Sequence, residues 1–296
     1  MFRPQGIIPA LVTPLDENES LDEPALRRLV QYLVEGGAHA LFVLGSQGEF
    51  WAFDASEKRM IFNIVVSEVA GRVPVIGGAA AVTTREAIAL ANLAEEAGVD
   101  AISVLTPFFI SPSQSELIAH FRAVAGSTSL PVLLYNNPGR TGVDLEPKTV
   151  TRLSEISNIV GIKDSSGDLT RTYEYIASTS DSFAVLMGRD TLILAGLVSG
   201  CCGAVAATAN VALPLLLKVF DSHQRGDLDG ARLAQQRLAP LRHAFRLGTF
   251  PVVIKEAVDL IGLSAGPARG PVGRLSEAAR KELAHVVHQL QREHLT

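Results

Sequence analysis

The chain has very little cysteine and no block of like charges. Only two of its 296 residues are cysteines, and they are neighbours, Cys201 and Cys202. Adjacent cysteines in an apolar, glycine-rich stretch suit neither a disulfide nor a metal site, so we interpret both as small buried hydrophobes in a reducing compartment. The formal net charge of −5, with no Lys/Arg cluster, argues against binding to nucleic acid or to a membrane surface.

Long apolar runs and cofactor motifs are also missing. Glycine, proline or charge interrupts every apolar stretch before it reaches the length of a membrane span. The first six residues lack the apolar core of a signal peptide, so we expect a cytoplasmic protein. No histidines have the spacing of metal ligands, no Gly-x-Gly-x-x-Gly follows a strand, and there is no P-loop.

What the chain does have is a regular alternation of short apolar runs and amphipathic segments. The predicted strands cover residues 6–13, 40–45, 73–78, 101–106, 131–136, 159–163, 183–188 and 203–208. The predicted helices between them cover residues 22–35, 54–70, 84–97, 113–125, 147–157, 168–178 and 191–199, with Asp22 and Asp54 as N-caps. Eight consecutive strand–helix units predict an α/β protein with a closed (β/α)8 TIM barrel rather than an open sheet.

The last part of the chain has helical periodicity only. The predicted helices there cover residues 213–220, 227–247, 251–261 and 276–291, and a Gly/Pro-rich segment separates the last two. We therefore predict two parts, a barrel over residues 1–212 and a C-terminal helical extension over residues 213–296.

Lys163 is the residue that least fits its surroundings. It lies near the end of an apolar strand, followed by the polar loop Asp164-Ser165-Ser166-Gly167. Lysine is almost never fully buried unless it is paired or used, and burial disfavours its charged form. A neutral amine in an apolar pocket is a good nucleophile toward a carbonyl carbon, with which it forms a Schiff base. The ordinary alternative is a side chain that extends from the strand end to solvent.

Two loops at other strand ends carry polar residues that suit the same chemistry. Gly45-Ser46-Gln47-Gly48-Glu49 follows the second strand, and its glycines and free amides could hold a carboxylate, although a tight turn explains them equally well. Tyr135 ends the fifth strand and could relay protons, or be a core aromatic residue. Arg140, in the loop that follows, could bind a second carboxylate or lie in solvent.

The later strands and the other lysines add less. Small residues around Gly188 on the seventh strand and Val205 on the eighth suit either the floor of a pocket or barrel packing. Lys255 has apolar neighbours but is followed by Glu256, so we predict an ordinary ion pair between these two residues.

These motifs together resemble one family, the pyruvate-dependent class I aldolases typified by dihydrodipicolinate synthase and N-acetylneuraminate lyase. The resemblance covers essentially the whole chain and implies a TIM barrel with a C-terminal helical domain, assembled as a homotetramer. It implies that Lys163 is the Schiff-base lysine, that Tyr135 relays protons, and that Ser46 and the amide of Gln47 hold the pyruvyl carboxylate. Other residues at positions that match the substrate site are Gly48, Arg140, Gly188 and Val205.

Departures from the synthase pattern bear on the substrate. The synthase has threonine at the position of Gln47, and at Phe109 it has a tyrosine that completes a hydroxyl relay in the neighbouring subunit, which a phenyl ring cannot do. Arg140 matches the arginine that the synthase uses for its aldehyde's carboxylate. The positions of the regulatory lysine site lack their polar or histidine ligands; these positions are Phe50, Trp51, Ala55, Lys58, Val82 and Phe108.

We therefore predict a lyase that reversibly cleaves a 4-hydroxy-2-oxo acid, of the 2-keto-3-deoxy sugar acid or 4-hydroxy-2-oxoglutarate type, to pyruvate and an aldehyde. The iminium is its own electron sink, so no metal or organic cofactor is required. Dihydrodipicolinate synthase and a Schiff-base dehydratase of a 2-keto-3-deoxy sugar acid are the alternatives among enzymes. A non-catalytic carboxylate-binding barrel is the alternative outside them.

Overall fold

Eight parallel strands form the centre of the protein, whose structure is a computed structural model that describes residues 2–293. The strands are β1 (Gly6–Pro9), β2 (Leu41–Val43), β3 (Val75–Gly78), β4 (Ala101–Leu105), β5 (Val132–Asn136), β6 (Ile159–Asp164), β7 (Ala184–Met187) and β8 (Gly203–Ala206). They are hydrogen-bonded in the order β1-β8-β7-β6-β5-β4-β3-β2. A single bridge between Ala10 and Phe42 links the two ends of this order, so the sheet forms a nearly closed barrel, as predicted.

The helices lie between and after the strands. They are α1 (Glu23–Glu35), α2 (Ala55–Val69), α3 (Thr84–Glu96), α4 (Gln114–Ala125), α5 (Pro138–Thr141), α6 (Pro147–Ser154), α7 (Leu169–Ser178), α8 (Ile193–Ser199), α9 (Ala209–Gln224), α10 (Leu228–His243), α11 (Val252–Leu260) and α12 (Glu277–Arg292). Short 3-10 turns cover Phe50–Ala52, Asp190–Leu192 and Ala244–Leu247. None of the helices in the described range is long and apolar enough to cross a membrane.

The apolar runs form strands because both faces of the sheet are covered. Every residue of the eight strands is buried, as is typical of parallel strands between a barrel interior and a ring of helices. The predicted N-caps are also present. The Asp22 side chain accepts a hydrogen bond from the Ala25 amide, and Asp54 forms a capping box with Glu57.

Some boundaries differ from the prediction. The first strand ends at Pro9 rather than at residue 13, and the predicted helix over residues 227–247 becomes a 3-10 turn after His243. The predicted domain boundary after residue 212 falls inside α9, where Ala212 interrupts the helical geometry (φ −126°, ψ 43°). The division of the chain into 1–212 and 213–296 stays a prediction.

The two cysteines are unpaired. Cys201 is buried, and burial raises the pKa of its thiol to about 12, which makes it unreactive. Cys202 is half-buried and accepts a hydrogen bond from the Arg3 guanidinium at 3.4 Å. The prediction of a buried, inert cysteine therefore holds for Cys201 and only in part for Cys202.

Candidate active site

Lys163 points into a cavity at the C-terminal end of the barrel. The residue is 4% exposed, so it does not extend to solvent. Its Nζ lies 4.0 Å from the centre of the Tyr135 ring and 4.8 Å from that of Phe42. The strand register explains the first contact, because Lys163 on β6 is paired directly with Tyr135 on β5. The cavity has a volume of about 290 Å³.

Tyr135 has its hydroxyl inside a small polar network. Asn137 donates a hydrogen bond to the tyrosine oxygen at 3.0 Å, and Ser46 Oγ lies 3.4 Å from it. Burial would raise the pKa of the phenol, but the positive charge of Lys163 and hydrogen bonds with Ser46 and Ser165 outweigh it, so the pKa lies below its usual value. A phenol whose proton leaves more readily is suited to passing protons near neutral pH.

Some residues of the loop after β2 line the cavity and others pack inside the protein. Ser46 and Gln47 line the cavity, and their role in holding a carboxylate stays a prediction. Gly48 is not among the residues that line it: the Gly48 carbonyl accepts a hydrogen bond from Thr13 Oγ1 at 2.9 Å, and its backbone packs against Leu44. The predicted direct contact between Gly48 and substrate therefore has no support in this geometry.

Glu49, the last residue of that loop, points away from the cavity into the protein. One of its carboxylate oxygens lies 2.8 Å from Lys255 Nζ, and the other accepts a hydrogen bond from the Arg269 amide at 2.9 Å. Both side chains of the Glu49–Lys255 pair are almost completely buried, with exposures of 1% and 0%. The prediction that Lys255 pairs with Glu256 is wrong, because residues next to each other on a helix point to different sides.

Positively charged residues surround the outer part of the cavity. Arg140, predicted from its loop, lies there with its Cζ 4.0 Å from the centre of the Phe250 ring. Burial lowers the pKa of Arg140, and the nearby Arg189 and Arg242 act in the same direction. Sequence reasoning missed most of the other lining residues. Those from the C-terminal part lie at the end of α10, in the 3-10 turn after it and in the turn before α11, where no motif marks them. The missed residues include Ala10, Asn137, Ser165, Arg189, Asp190, Arg242, Phe245 and Phe250.

The remaining predicted site residues differ in their placement. Gly188 and Val205 both line the cavity. A Cβ on Gly188 would lie 2.0 Å from Ser165 Oγ and 2.8 Å from the Asp164 carbonyl oxygen, so only glycine fits. Phe109 does not line the cavity; it is 96% exposed and its φ is +72°.

The model of the Dihydrodipicolinate synthetase family matches residues 3–290. The chain belongs to this family. It is 39% identical to the 4-hydroxy-tetrahydrodipicolinate synthase of Methanopyrus kandleri over 291 residues, which cover 98% of this chain and 97% of that protein.

Solved structures of the dihydrodipicolinate synthetase family agree with the barrel. A dihydrodipicolinate synthase of Bacillus anthracis has a TM-score of 0.95 and 38% identity, covering 97% of this chain and 99% of that one. The structure of YagE from E. coli K12, a prophage protein of the same family in complex with pyruvate, has a TM-score of 0.94 and 34% identity, covering 99% of both chains.

Family membership makes this protein an enzyme, a class I lyase of the Schiff-base type that acts on pyruvate. The alternative of a non-catalytic barrel thereby loses its basis. Within residues 2–293 no group of three or more His, Cys, Asp or Glu side chains is arranged to hold a metal ion.

Proposed function

We propose that this enzyme reversibly cleaves a 4-hydroxy-2-oxo acid to pyruvate and an aldehyde that carries an acidic group. The observation that carries the proposal is the buried amine of Lys163, 4.0 Å from the Tyr135 ring, in a cavity that also contains Ser46. The amine is the nucleophile, and the two hydroxyls are the groups that move protons.

The first half of the reaction forms the iminium. The amine of Lys163 attacks C2 of the 2-oxo acid, and its proton passes through Tyr135 to the new alkoxide to give a carbinolamine. Tyr135 then donates its own proton to that hydroxyl, water leaves as the nitrogen lone pair forms the C=N bond, and Tyr135 becomes a phenolate. Ser46 Oγ, 3.4 Å from the tyrosine oxygen, completes the hydroxyl pair.

The second half breaks the carbon–carbon bond. The Tyr135 phenolate takes the proton of the C4 hydroxyl, the C3–C4 bond breaks, and its electron pair moves into the iminium to give an enamine while the aldehyde leaves. The phenol then protonates C3, and water hydrolyses the imine to release pyruvate. The iminium nitrogen carries a positive charge beside Tyr135, and a positive charge at that position lowers the pKa of the phenol, so it favours the phenolate that takes the C4 proton.

Binding of the 2-oxo acid needs a partner for its own carboxylate. Ser46 and the backbone amide of Gln47 would hold that group, since both residues line the cavity beside Lys163. Gly188 and Val205 would leave room for the pyruvyl carbons, because both line the cavity, Gly188 has no side chain and that of Val205 is compact.

The charge of the cavity favours an acidic aldehyde. Three guanidinium groups line it, those of Arg140, Arg189 and Arg242, against one carboxylate, that of Asp190. This carboxylate already accepts a hydrogen bond from the Thr208 amide at 2.8 Å. An aldehyde with a negative group would find charge-assisted hydrogen bonds here, whereas an ammonium group would be repelled.

A second candidate is 4-hydroxy-tetrahydrodipicolinate synthase, in which the enamine attacks an amino-bearing semialdehyde. The names of the relatives favour it, since that of Methanothrix thermoacetophila is 40% identical over 98% of this chain. Phe109 argues against the synthase, because phenylalanine has no hydroxyl and cannot take part in a hydroxyl relay.

Borohydride trapping tests the Schiff base. With pyruvate, reduction should add a stable mass to the peptide that contains Lys163, and Lys163→Ala or Lys163→Arg should abolish it, because a guanidinium does not form the imine. Lys148→Arg, on α6, is the matched control and should still be trapped. An adduct that maps to Lys255 or survives Lys163→Ala refutes the mechanism.

A substrate panel then decides between the two candidates. Pyruvate release from 4-hydroxy-2-oxo acids and pyruvate condensation with aspartate semialdehyde are measured under the same conditions. We expect cleavage of an acidic 4-hydroxy-2-oxo acid to be the fastest reaction. If condensation with aspartate semialdehyde is fastest, the enzyme is the synthase and the aldolase proposal is wrong.

We also propose that the enzyme is a homotetramer. Several large apolar side chains are exposed on a single chain, among them Trp51 (46%), Phe109 (96%) and Ile110 (46%), and such exposure is typical of an interface. Light scattering after size exclusion tests this, and a monomeric mass at micromolar concentration would contradict it.

A further inference from the structure

A second cavity of about 280 Å³ adjoins the catalytic one and shares five lining residues with it. We call this second cavity the outer chamber. Its polar and aromatic lining residues are Gln47, Arg140, Arg242, Phe245, Arg246 and Phe250. Lys163 lines the first cavity but not the outer chamber, so a ligand that spans both would have its reacting carbon at the lysine and its far end among the arginines.

The outer chamber is positively charged in a protein that is negative overall. Three arginines line it and no aspartate or glutamate does, although the whole chain has a formal net charge of −5. A carboxylate near it, that of Glu282, lies 3.4 Å from Arg246, but both of those side chains are more than half exposed, so solvent screens the pair. The outer chamber therefore has a positive charge that no acidic residue of its lining neutralises.

Two of these arginines are positioned by aromatic rings. The Cζ of Arg140 lies 4.0 Å from the Phe250 ring centre, and that of Arg242 lies 4.3 Å from the Phe245 ring centre. A contact with the face of a ring orients a guanidinium and uses none of its five N–H donors. The donors remain free for an anionic ligand, and guanidinium groups bind the oxygens of such ligands two at a time.

We propose that the outer chamber binds the phosphate of a phosphorylated aldehyde, so that the substrate is a 4-hydroxy-2-oxo acid with a terminal phosphate ester. This inference rests on the proposed function, in which the aldehyde half lies beyond the bond that breaks. A phosphate monoester carries a charge of about −1.5 to −2 at neutral pH and three acceptor oxygens. Arg140 alone would suffice for a carboxylate, but Arg242 lines both cavities as Arg140 does, and Arg246 adds a third guanidinium group that lines only the outer chamber.

Calorimetry with glycerol 3-phosphate tests the site without turnover. We expect the intact enzyme to bind this probe and not to bind glycerol. Arg242→Gln and Arg246→Gln should each weaken binding, Arg242→Gln by about 10- to 100-fold, because each removes charge-assisted hydrogen bonds. Arg232→Gln is the matched control: Arg232 lies on α10 as Arg242 does, is 63% exposed and does not line the chamber. It should change binding less than twofold.

Kinetics provide the second readout. Condensation of pyruvate with glyceraldehyde 3-phosphate should have a higher kcat/KM than condensation with glyceraldehyde. Arg242→Gln should remove most of that preference by raising the KM for the phosphorylated aldehyde. Borohydride trapping of pyruvate on Lys163 should be unchanged in Arg246→Gln, since Arg246 lines the outer chamber and not the catalytic cavity.

Each result either supports the inference or overturns it. No binding of glycerol 3-phosphate by the intact enzyme, or equal loss in Arg232→Gln and Arg242→Gln, refutes the phosphate site. A preference for unphosphorylated or carboxylated aldehydes that Arg242→Gln leaves unchanged also refutes it. Failure of borohydride trapping refutes the proposed function instead, and calorimetry would still report on the chamber.

Discussion

Replacing Lys255 with methionine removes one half of the buried ion pair that joins α11 to the loop after β2. Lys255 Nζ lies 2.8 Å from the Glu49 carboxylate and donates a second hydrogen bond to the Thr13 carbonyl at 2.9 Å. Burial lowers the pKa of Lys255, and the charge of Glu49 opposes that effect. Without the lysine, Glu49 would be a buried charge whose remaining contact is the Arg269 amide.

The magnitude follows from that uncompensated charge. Breaking a buried ion pair by removing one partner costs about 3–5 kcal/mol. Leaving a buried uncharged donor or acceptor without a hydrogen-bond partner costs less, about 1–3 kcal/mol. We therefore expect Lys255→Met to lower the free energy of unfolding by about 3–5 kcal/mol. The double variant Lys255→Met with Glu49→Gln should lose clearly less free energy of unfolding than Lys255→Met alone, although it carries one more substitution. For a chain of this size a loss of 3–5 kcal/mol lowers Tm by about 6–20 °C.

The same variant should also damage the active site. Glu49 has a left-handed backbone (φ 54°, ψ 41°), a conformation that costs a non-glycine residue about 1–3 kcal/mol and that its contacts must hold. Ser46 and Gln47 are in the same loop. When Glu49 loses its contact with Lys255, we therefore expect a lower kcat and a higher KM for pyruvate, even at temperatures where the variant is folded.

Thermal and chemical unfolding at fixed protein concentration provide the measurement. Arg59→Met is the control, because the Arg59–Glu96 pair has the same chemistry at the surface (47% and 62% exposed) and should cost no more than about 1 kcal/mol. If Lys255→Met is no more destabilising than Arg59→Met, or if the double variant is worse than Lys255→Met alone, the ion pair does not hold the loop.

Four further outcomes test the site. Tyr135→Phe should lower kcat by about 10²- to 10⁴-fold while pyruvate trapping persists, because only the proton-carrying hydroxyl is lost; wild-type turnover would mean that protons move by another route. In Lys163→Ala the pKa of Tyr135 should rise, since the largest influence that lowers it is removed, so the first tyrosinate absorbance change near 295 nm should move to higher pH; an unchanged titration would contradict the pKa argument. Gly188→Ala should reduce kcat because its Cβ would displace Ser165 from the Tyr135 network, and full activity would show that the network tolerates the shift. L-Lysine at millimolar concentration should not inhibit, since Phe50 and Trp51 offer an ammonium group no charged partner; clear inhibition would revive the synthase assignment.

The sequence predicted the barrel well because parallel strands are buried on both faces and so are nearly continuous apolar runs. It also placed Lys163 and Tyr135 at the ends of consecutive strands, and the two residues meet because consecutive strands of such a sheet are neighbours and their C-terminal ends share one edge. It did not predict the short helix α5, because four residues that begin with Pro138 look like the continuation of a loop. Nor did it predict Arg242 or Phe250 in the site, since no local pattern marks which residues of a distant helix or turn return to the barrel mouth.

The loop after β2 shows why a motif predicts a site better than it predicts the role of each residue in it. The sequence predicts either an anion-binding loop or a tight turn for all of its residues, yet the left-handed backbone at Glu49 directs that side chain away from Ser46 and into contact with Lys255. Such a reversal depends on a partner more than 200 positions later in the chain, which local spacing cannot reveal. The C-terminal segment thus holds the loop through Lys255 and supplies Arg242 and Phe250 to the site. A change in that segment should therefore alter stability and the choice of aldehyde together, while the imine chemistry of Lys163, on β6, should persist wherever the barrel still folds.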